Sequence, residues 1–567
     1  MTTLQSRPPY SEDELHKLYP PGLQLQLVQV LLRHGERSPV SARFQNAGLV
    51  AFWPYCSVAR QMVSATREAR EKKWAPLQWR RRLETFGGDD GPVIASGPKG
   101  EVDSICNLGE LTDMGRATTY SLGQRLRYLY VDQLHFMPPI ISDADMIYLR
   151  ATPIPRALES LQQTFWGMYP SNSRASSFPA VSIILRAPAD ETLFPNDSNC
   201  RRFAQLSRAF AQRTADRWNN TSEMEYLNKL LSKWMPESSK RVAVDSHPRL
   251  SGIMDTINST LAHGPETRLP KEFYDEKGRK IIEKIGVEEW YSGYQESQEY
   301  RSLGIGSLMG DVVERMVGSV ERNGNDGLFE IGGKDGSMGS GRGGEQSIKL
   351  GLSGCHDTTL AGVLASLGTF QGELWPPYTS RKFPLDRGSI SHIETITNFL
   401  RLGYAMRVDG PESLFETSNP LPVLAKLIKY SWLDIAFELF KNSTNQSSQV
   451  LGKDTIEKAA QAVTTGDAAV GKGWYKRIFG DSNLAGMNGD KNAPVGIARQ
   501  KVETLKESDR AKLDGYYVRI RYNDKVVTVP GCKAAGKHLD GDESFCTLAS
   551  TTFRAFNKVT NNSSGSI

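Results

Sequence analysis

Three segments of this 567-residue chain repeat one plan, in which a short apolar run leads to a polar tip and then to a helix pattern. The apolar runs are "LQLQLVQVLL" (residues 23–32), "MIYL" (146–149) and "IKLGLSG" (348–354). Short runs that are largely continuous predict strands buried on both faces. Strands that alternate with helices predict an α/β fold with a doubly wound sheet. Ligands of such sheets bind beyond the carboxyl ends of the strands, so we expect the three tips to converge on one crevice.

The first tip carries two cations and an imidazole, since Arg33, His34 and Arg37 lie in "RHGERSP" directly after the strand. The planar guanidinium groups of two arginines match phosphate oxygens. A neutral histidine between them can act as a nucleophile. The alternative is that the arginines pair with surface carboxylates and that His34 is a strand-end histidine with satisfied hydrogen bonds, because short motifs recur by chance.

The second and third tips offer one cation and a His-Asp pair. Arg150 follows "MIYL" directly, and it is either a site residue or a surface arginine near a helix start. Arg156 competes for the same role, but it lies in the first helical turn, and we interpret it as part of a structural ion pair. After the third strand come His356 and Asp357. A raised pKa would make Asp357 a general acid; it could also cap the helix that begins at "DTTL", or do both.

Several further motifs accompany these tips. "RHGERSP", "LRAT" and "HD" occur in this order, together with "GELTDMGRATTYSLGQRLR", "ETLFPNDSNC", "HDTTLAGVLASLGTF" and "WPPY". In them the chain resembles the histidine acid phosphatases, the two-domain branch of the histidine phosphatase superfamily. The last two motifs, with Gly531, Cys532 and Cys546, are most similar to the lysophosphatidic acid phosphatase (acid phosphatase type 6) subgroup. The resemblance covers residues 23–320, 347–380 and the segment from 514 to the mid-550s.

The resemblance implies a fold and a reaction. The fold would be phosphoglycerate mutase-like, with three α/β/α layers around a mixed sheet and an inserted, mostly helical cap. The reaction would be that of an acid phosphomonoesterase, in which His34 attacks phosphorus and Asp357 protonates the leaving alcohol. No metal or other cofactor is expected, because guanidinium groups supply the positive charge, and an acidic optimum is expected, because Asp357 must be protonated. The residues that would hold the phosphoryl oxygens are Arg33, Arg37, Arg150 and His356.

Composition divides the chain into a core and several insertions. Amphipathic helical stretches predict the cap, a Gly-rich stretch predicts a mobile loop, and a polar stretch of small residues predicts partial disorder. Two strand-like runs around "YNDK" predict a hairpin near the C-terminal end. The predicted parts are core (20–164), helical cap (165–320), Gly-rich loop (321–346), core (347–380), insertion (381–433), core strand (434–440), polar insertion (441–510), and core hairpin and end (511–560).

Residues 381–433 interrupt what the resemblance implies is one continuous segment from "WPPYTS" into "IAFELF". The codons of Arg381–Phe383 can contain a splice-donor consensus, and those of Tyr430–Ser431 an acceptor. We hypothesise a retained intron in the gene model, and a genuine surface insertion is the alternative. Transcript reads that all continue from Ser380 into Arg381 would contradict the intron.

Charge and motif content limit the classes of partner. The chain has 69 Lys and Arg against 64 Asp and Glu, a formal net charge of +5, which does not predict binding to nucleic acid. A membrane span is not expected, because no run of about twenty apolar residues occurs. Neither zinc-ligand spacing nor a P-loop motif occurs in the sequence. We therefore expect the partner to be a small-molecule phosphate monoester, with lysophospholipids among the candidates.

The N-terminal segment and the cysteines bear on location. Residues 1–22 have no apolar h-region and carry acidic side chains, so neither a secretory signal nor a transit peptide is predicted. We expect an intracellular protein, cytoplasmic or mitochondrial, with its N-x-S/T sequons unglycosylated. Six cysteines do not predict a disulfide scaffold. Cys532 and Cys546 bracket a short polar loop and could bridge, or stay reduced in a reducing compartment.

Two other functional classes remain alternatives to the phosphomonoesterase. One is a mutase or an inositol phosphate phosphatase of the phytase kind on the same scaffold. The His356–Asp357 pair argues against the mutase, which usually takes its acid from a glutamate elsewhere, and the expected lack of secretion argues against a phytase. The other is a non-catalytic domain that binds a phospholigand, which would be favoured by loss of a motif residue.

Overall fold

The computed structural model describes residues 9–68, 73–321, 348–369, 434–443 and 505–550. The strands within these ranges are β1 (Leu23–Arg33), β2 (Met62–Glu68), β3 (Lys73–Trp79), β4 (Glu84–Phe86), β5 (Pro92–Ile94), β6 (Ile147–Ala151), β7 (Ile183–Ile184), β8 (Leu350–Cys355), β9 (Asp434–Asn442), β10 (Tyr516–Tyr522), β11 (Lys525–Val527), β12 (His538–Leu539) and β13 (Asp542–Thr547). The helices are α1 (Glu12–Leu18), α2 (Asp113–Arg127), α3 (Pro155–Met168), α4 (Arg201–Trp218), α5 (Ser222–Leu231), α6 (Leu250–Ala262), α7 (Glu276–Glu296), α8 (Gln298–Glu321), α9 (Asp357–Ser366) and α10 (Glu507–Leu513).

A nine-stranded sheet forms the centre of the described residues. Its order is β12-β13-β10-β9-β1-β8-β6-β7, with β11 paired to β10. The three predicted strands are neighbours, because β8 runs parallel to β1 on one side and to β6 on the other. β9 is antiparallel to β1 and completes a mixed sheet. This arrangement confirms the predicted α/β fold class, and it brings the carboxyl ends of β1, β6 and β8 to one edge.

Alternating side chains of β1 supply both faces of the sheet. Leu32 packs in one apolar cluster with Leu122 of α2 and Leu161 of α3. Leu31 packs in a second cluster, which contains Met316 of α8 and side chains of α9. Burial of each such side chain contributes about 1.5–3 kcal/mol, so the sheet is held between two helical layers.

The helical part is arranged differently from the predicted cap. The predicted boundary between residues 164 and 165 falls inside α3, because Phe165 and Met168 pack in the same cluster as β1. The continuous helical series begins only at Arg201, and α8 lies against the sheet. A third apolar cluster holds α4 to α7 together with the segment that follows the first tip.

The C-terminal region adds antiparallel strands beyond β9. β10 and β11 form the hairpin expected around "YNDK", with Asn523 and Asp524 at positive φ as a two-residue hairpin turn requires. Residues 381–433 and nearly all of the Gly-rich and polar segments lie outside the described residues. No described helix has the length and apolarity needed to cross a bilayer.

Two disulfides are present. Cys532 pairs with Cys546, the pairing left open by the sequence, and Cys56 pairs with Cys106, which the sequence did not indicate. Structural disulfides are typical of oxidising compartments. The intracellular location stays a prediction.

Candidate active site

The first and third tips meet at the carboxyl edge of the sheet. Arg33 is the last residue of β1 and lies opposite Cys355. The amide of His34 donates to the carbonyl of Cys355 at 3.0 Å. The rings of His34 and His356 then lie edge to face, with their centroids 5.4 Å apart. Adjacent parallel strands thus place two residues side by side that are far apart in the sequence.

Two glycines allow the first tip to pack closely on the helices. A Cβ added to Gly35 would lie 2.3 Å from the carbonyl oxygen of Gly115, and one added to Gly115 would lie 2.2 Å from that of Glu36. The amide of Gly35 also donates to the hydroxyl of Ser160 on α3 at 3.0 Å. The glycine in "RHGERSP" is therefore required by the close approach of this loop to α2 and α3.

His34 is held as a neutral imidazole. Its Nδ1 lies 2.8 Å from the carbonyl oxygen of Gly35. Because a carbonyl can only accept, Nδ1 carries the proton and Nε2 keeps its lone pair. Burial lowers the pKa of His34 well below its usual value, and the charge of Arg33 lowers it further. The lone pair of Nε2 is therefore available to attack an electrophile.

Asp357 is bound as a carboxylate in this ligand-free site. Its Oδ2 accepts from Nε and Nη2 of Arg33, both at 3.3 Å, and its Oδ1 accepts from the amide of Thr358 at 2.9 Å. Burial favours the neutral acid, but the positive charges of Arg33 and Arg37 outweigh it and lower the pKa of Asp357. Asp357 is also the first residue of α9, where the helix dipole favours a negative charge.

His356 is fixed by a hydroxyl and an aromatic ring. Its Nε2 lies 3.1 Å from the hydroxyl of Thr152, and its ring stacks on Phe194 with centroids 5.0 Å apart and planes 10° apart. Burial, with a further contribution from Arg156, lowers the pKa of His356 to about 3. The ring is therefore neutral and held in one orientation.

Arg37 reaches the site from the first tip and is oriented by the helical part. Its Nη2 donates to Oδ1 of Asp255 on α6 at 2.7 Å, and its Nη1 donates to the carbonyl of Ser38 at 3.1 Å. Arg43 donates to the other oxygen of Asp255 at 3.4 Å. One carboxylate thus lies between two arginines beside the crevice, which leaves the local charge positive.

Arg150 is not part of this cluster, which corrects the prediction that it binds the phosphoryl group. β6 continues past Leu149 to Ala151, so Arg150 lies inside the strand and only 1% exposed. Its guanidinium pairs with Glu191 at 2.6 Å and with Asp311 at 2.8 Å. The two carboxylates neutralise this cation, so Arg150 has a structural role: it links β6 to the segments that carry Glu191 and Asp311.

Arg156 occupies the place expected of Arg150. It follows Pro155 in the first turn of α3, and its charge acts on His34, His356 and Asp357. Among the described residues no carboxylate forms an ion pair with it: Nη1 donates to the carbonyl of Gly109 at 3.4 Å, and Nε is buried without a partner. Burial, followed by the charge of Arg37, lowers the pKa of Arg156 to about 10. The structural ion pair predicted for Arg156 is therefore not observed.

Sequence analysis did not identify three residues that hold the side chains of the site in place. Phe194 lies in "ETLFPNDSNC", a motif that was informative only through resemblance. Thr152 follows the second strand directly, where a search for charged groups alone does not find it. Asp255 lies 218 residues from Arg37, and no local pattern connects the two.

The assembled site is a crevice with a nucleophilic nitrogen, three arginines, a second neutral histidine and a carboxylate. Guanidinium groups around a neutral imidazole fit a tetrahedral oxyanion such as a phosphoryl group. The residues in question are Arg33, His34, Arg37, Arg156, His356 and Asp357.

Comparisons with known proteins identify several relatives of this chain. A probable acid phosphatase of Schizosaccharomyces pombe is 38% identical over 367 residues, which cover 64% of this chain and 72% of the relative. Human lysophosphatidic acid phosphatase type 6 is 24% identical over 415 residues, which cover 70% of this chain and 81% of that protein. A solved phytase of Hafnia alvei aligns with 94% of this chain and 97% of its own at 11% identity, with a TM-score of 0.43.

A family model settles the assignment. The model of the histidine phosphatase superfamily (branch 2) matches residues 24–393, which include every residue of the crevice. The match covers more than half of the chain. The chain therefore belongs to branch 2 of the histidine phosphatase superfamily, as a histidine acid phosphatase.

Proposed function

We propose that the protein hydrolyses phosphate monoesters through a phosphohistidine on His34, without a metal ion. The observation that carries this proposal is the tautomer of His34. The hydrogen bond from Nδ1 to the carbonyl of Gly35 leaves Nε2 as the basic nitrogen, beside His356 and the arginines. The proposal departs from the sequence prediction in one residue, because Arg156 replaces Arg150 as a phosphate ligand.

In the first step, the lone pair of His34 Nε2 attacks phosphorus. The bond between phosphorus and the leaving oxygen breaks, and that oxygen takes the proton of Asp357. In the second step, water attacks phosphorus and gives a proton to the Asp357 carboxylate. The P–N bond breaks, and neutral His34 and phosphate are released.

The charge state of Asp357 changes with the substrate. In the free site Arg33 holds the pKa of Asp357 low. A bound phosphoryl group adds negative charge and draws the guanidinium of Arg33 toward itself, so the pKa of Asp357 rises on binding. An acidic medium then supplies the proton that the leaving group needs, which agrees with the expected acidic optimum.

The arginines provide the positive charge that a metal would supply in other phosphatases. Arg33, Arg37 and Arg156 reach the crevice from β1, its following loop and α3, so that they surround the phosphoryl oxygens from different directions. Preorganised donors of this kind stabilise the transition state most, because they need no reorganisation during the reaction.

For the substrate we propose lysophosphatidic acid or a similar organic phosphate monoester. Support comes from the similarity to lysophosphatidic acid phosphatase type 6 over 70% of this chain. Inositol phosphates are the alternative. Comparing kcat/KM for lysophosphatidate, phytate and a simple sugar phosphate separates them, and a preference for phytate would contradict the proposal.

The mechanism is tested by turnover of p-nitrophenyl phosphate at mildly acidic pH with and without EDTA. We expect equal rates in both, and no turnover by His34→Ala. His16→Ala, which alters an exposed histidine on α1, serves as the matched control and keeps full activity. Rapid quench with ³²P-labelled substrate should trap a phosphoenzyme that is stable in alkali and labile in acid. Inhibition by EDTA or a fully active His34→Ala would refute the mechanism.

A further inference from the structure

A β-hairpin projects from the core between the first tip and α2. It consists of β2 (Met62–Glu68) and β3 (Lys73–Trp79), which pair with each other and with no other strand in the described part of the chain. Neither face of this β2–β3 hairpin is covered by the core, since every side chain from Met62 to Arg67 and from Trp74 to Trp79 is exposed or only half-buried. An isolated two-stranded hairpin is marginally stable in water, so we expect this one to be stabilised by packing against a partner.

The exposed side chains are large and apolar. Trp74 is 69% exposed and Trp79 is 51% exposed, and Val63 and Leu77 are exposed beside them. Leu77 and Trp79 lie on one face of the hairpin, whereas Val63 and Trp74 lie on the other. Large apolar side chains that are exposed side by side are typical of an interaction site.

The hairpin and the residues that flank it are also basic. Residues 60–68 and 73–82 contain six Arg or Lys and one Glu. Glu110 pairs with Arg81 and Asp103 pairs with Arg82, so that a local net charge of +3 remains. Arg67 is exposed, and Arg80 is exposed although it lies 3.9 Å from Asp103. Positive charge beside exposed tryptophans is the combination that suits an anionic lipid surface.

The base of the hairpin is tied to the active-site loop. Arg81 donates to both carboxylate oxygens of Glu110 at 3.0 and 2.8 Å, and the carbonyl of Glu110 accepts from the amide of Ser38, directly after Arg37. The disulfide between Cys56 and Cys106 closes the chain on both sides of the projection. A surface bound by the hairpin would therefore lie at a fixed distance from the crevice.

We propose that the β2–β3 hairpin docks on the surface of a bilayer that contains anionic phospholipids. The side chains of Trp74 and Val63, which lie on one face of the hairpin, enter the interface, and Arg67, opposite Trp74 on the same face, binds the headgroup phosphates. Charge favours this occupant over a second copy of the chain, because a symmetric contact would place two positively charged surfaces together. The inference goes beyond the proposed function, since docking requires no turnover.

The test is cosedimentation of the full chain with vesicles of pure phosphatidylcholine and of phosphatidylcholine with 30% phosphatidylserine, at low and high salt. We expect binding to the anionic vesicles that weakens with salt. Trp74→Ser and Arg67→Glu should each lower the partition coefficient about tenfold or more. Trp166→Ser is the matched control, because Trp166 on α3 is also 48% exposed and lies against an arginine, Arg174, yet is outside the hairpin.

Turnover of soluble p-nitrophenyl phosphate should be the same in all these variants, so failure of docking and failure of catalysis are distinguishable. Wild type that does not bind anionic vesicles would overturn the proposal, as would binding unchanged by both hairpin variants. A dimer of the wild type that Trp74→Ser dissociates would show that a second copy covers the hairpin instead.

Discussion

Two arginines six residues apart are expected to respond in opposite ways to mutation. Arg156→Ala should remove transition-state stabilisation and leave the fold intact. Arg150→Met, in contrast, should destabilise the fold. The contrast follows from their partners: Arg150 neutralises Glu191 and Asp311, whereas Arg156 forms no ion pair among the described residues.

The magnitudes follow from these environments. Loss of one preorganised donor to a developing oxyanion costs about 100- to 1,000-fold in rate, and we expect that loss in kcat/KM for Arg156→Ala. Its free energy of unfolding should stay the same or rise, because a buried cation without a counter-charge is removed. Arg150→Met leaves Glu191, which has 0% side-chain exposure, without its cation. Breaking a buried ion pair in this way costs about 3–5 kcal/mol of stability.

The assay combines kinetics with denaturant unfolding. Inorganic phosphate at 100 times its Kd should stabilise the wild type by about 2.7 kcal/mol. Arg156→Ala should lose most of this effect at the same phosphate concentration, and Arg156→Lys should recover part of it, because lysine restores the charge but not the planar fork. The reasoning is refuted by an Arg156→Ala protein with normal kcat/KM and lower stability, or by an Arg150→Met protein with normal stability and greatly reduced kcat/KM.

Three further predictions concern the leaving group, the new disulfide and acid stability. Asp357→Asn should slow alkyl phosphates more than p-nitrophenyl phosphate, whose leaving group needs no proton; steady-state kinetics on both would show equal slowing if Asp357 is not the acid. Removing the Cys56–Cys106 bridge, whose cysteines are 50 residues apart, should cost about 4 kcal/mol in urea unfolding at neutral pH; a cost near zero would contradict it. Burial lowers the pKa of His263 to about 4, whereas its value in the unfolded chain is about 6.5. The contribution of neutral His263 to the free energy of unfolding is therefore fully present above pH 6.5, and about 3 kcal/mol of it is lost as the pH falls to 4. The difference in free energy of unfolding between wild type and His263→Gln should decrease from pH 6.5 to pH 4. A difference that does not change with pH would show that protonation of His263 does not cause the loss of stability in acid.

Local sequence was enough to predict the core strands and five of the six side chains that meet at the crevice. Residues 27–32 of β1 and all of β8 are buried, as in strands that are covered on both faces. Their tips follow directly in the chain, so His34, Asp357 and their neighbours could be assigned to one edge. The motif around Gly35 has a local cause as well, because only glycine tolerates its approach to Gly115.

Only the tertiary structure decided which arginine of the second tip serves the crevice. The sequence places Arg150 at the end of an apolar run and Arg156 in a helix, but it does not show that β6 runs on to Ala151. That extension places Arg150 against Glu191 and Asp311, which come from two distant segments. Charge pairing depends on distance in space, and residues 41 and 161 positions away can meet only when the chain is folded. The sequence determined the strands and the chemical groups at their ends. The packing of the layers determined which arginines are neutralised by carboxylates and which are available to bind a phosphoryl group.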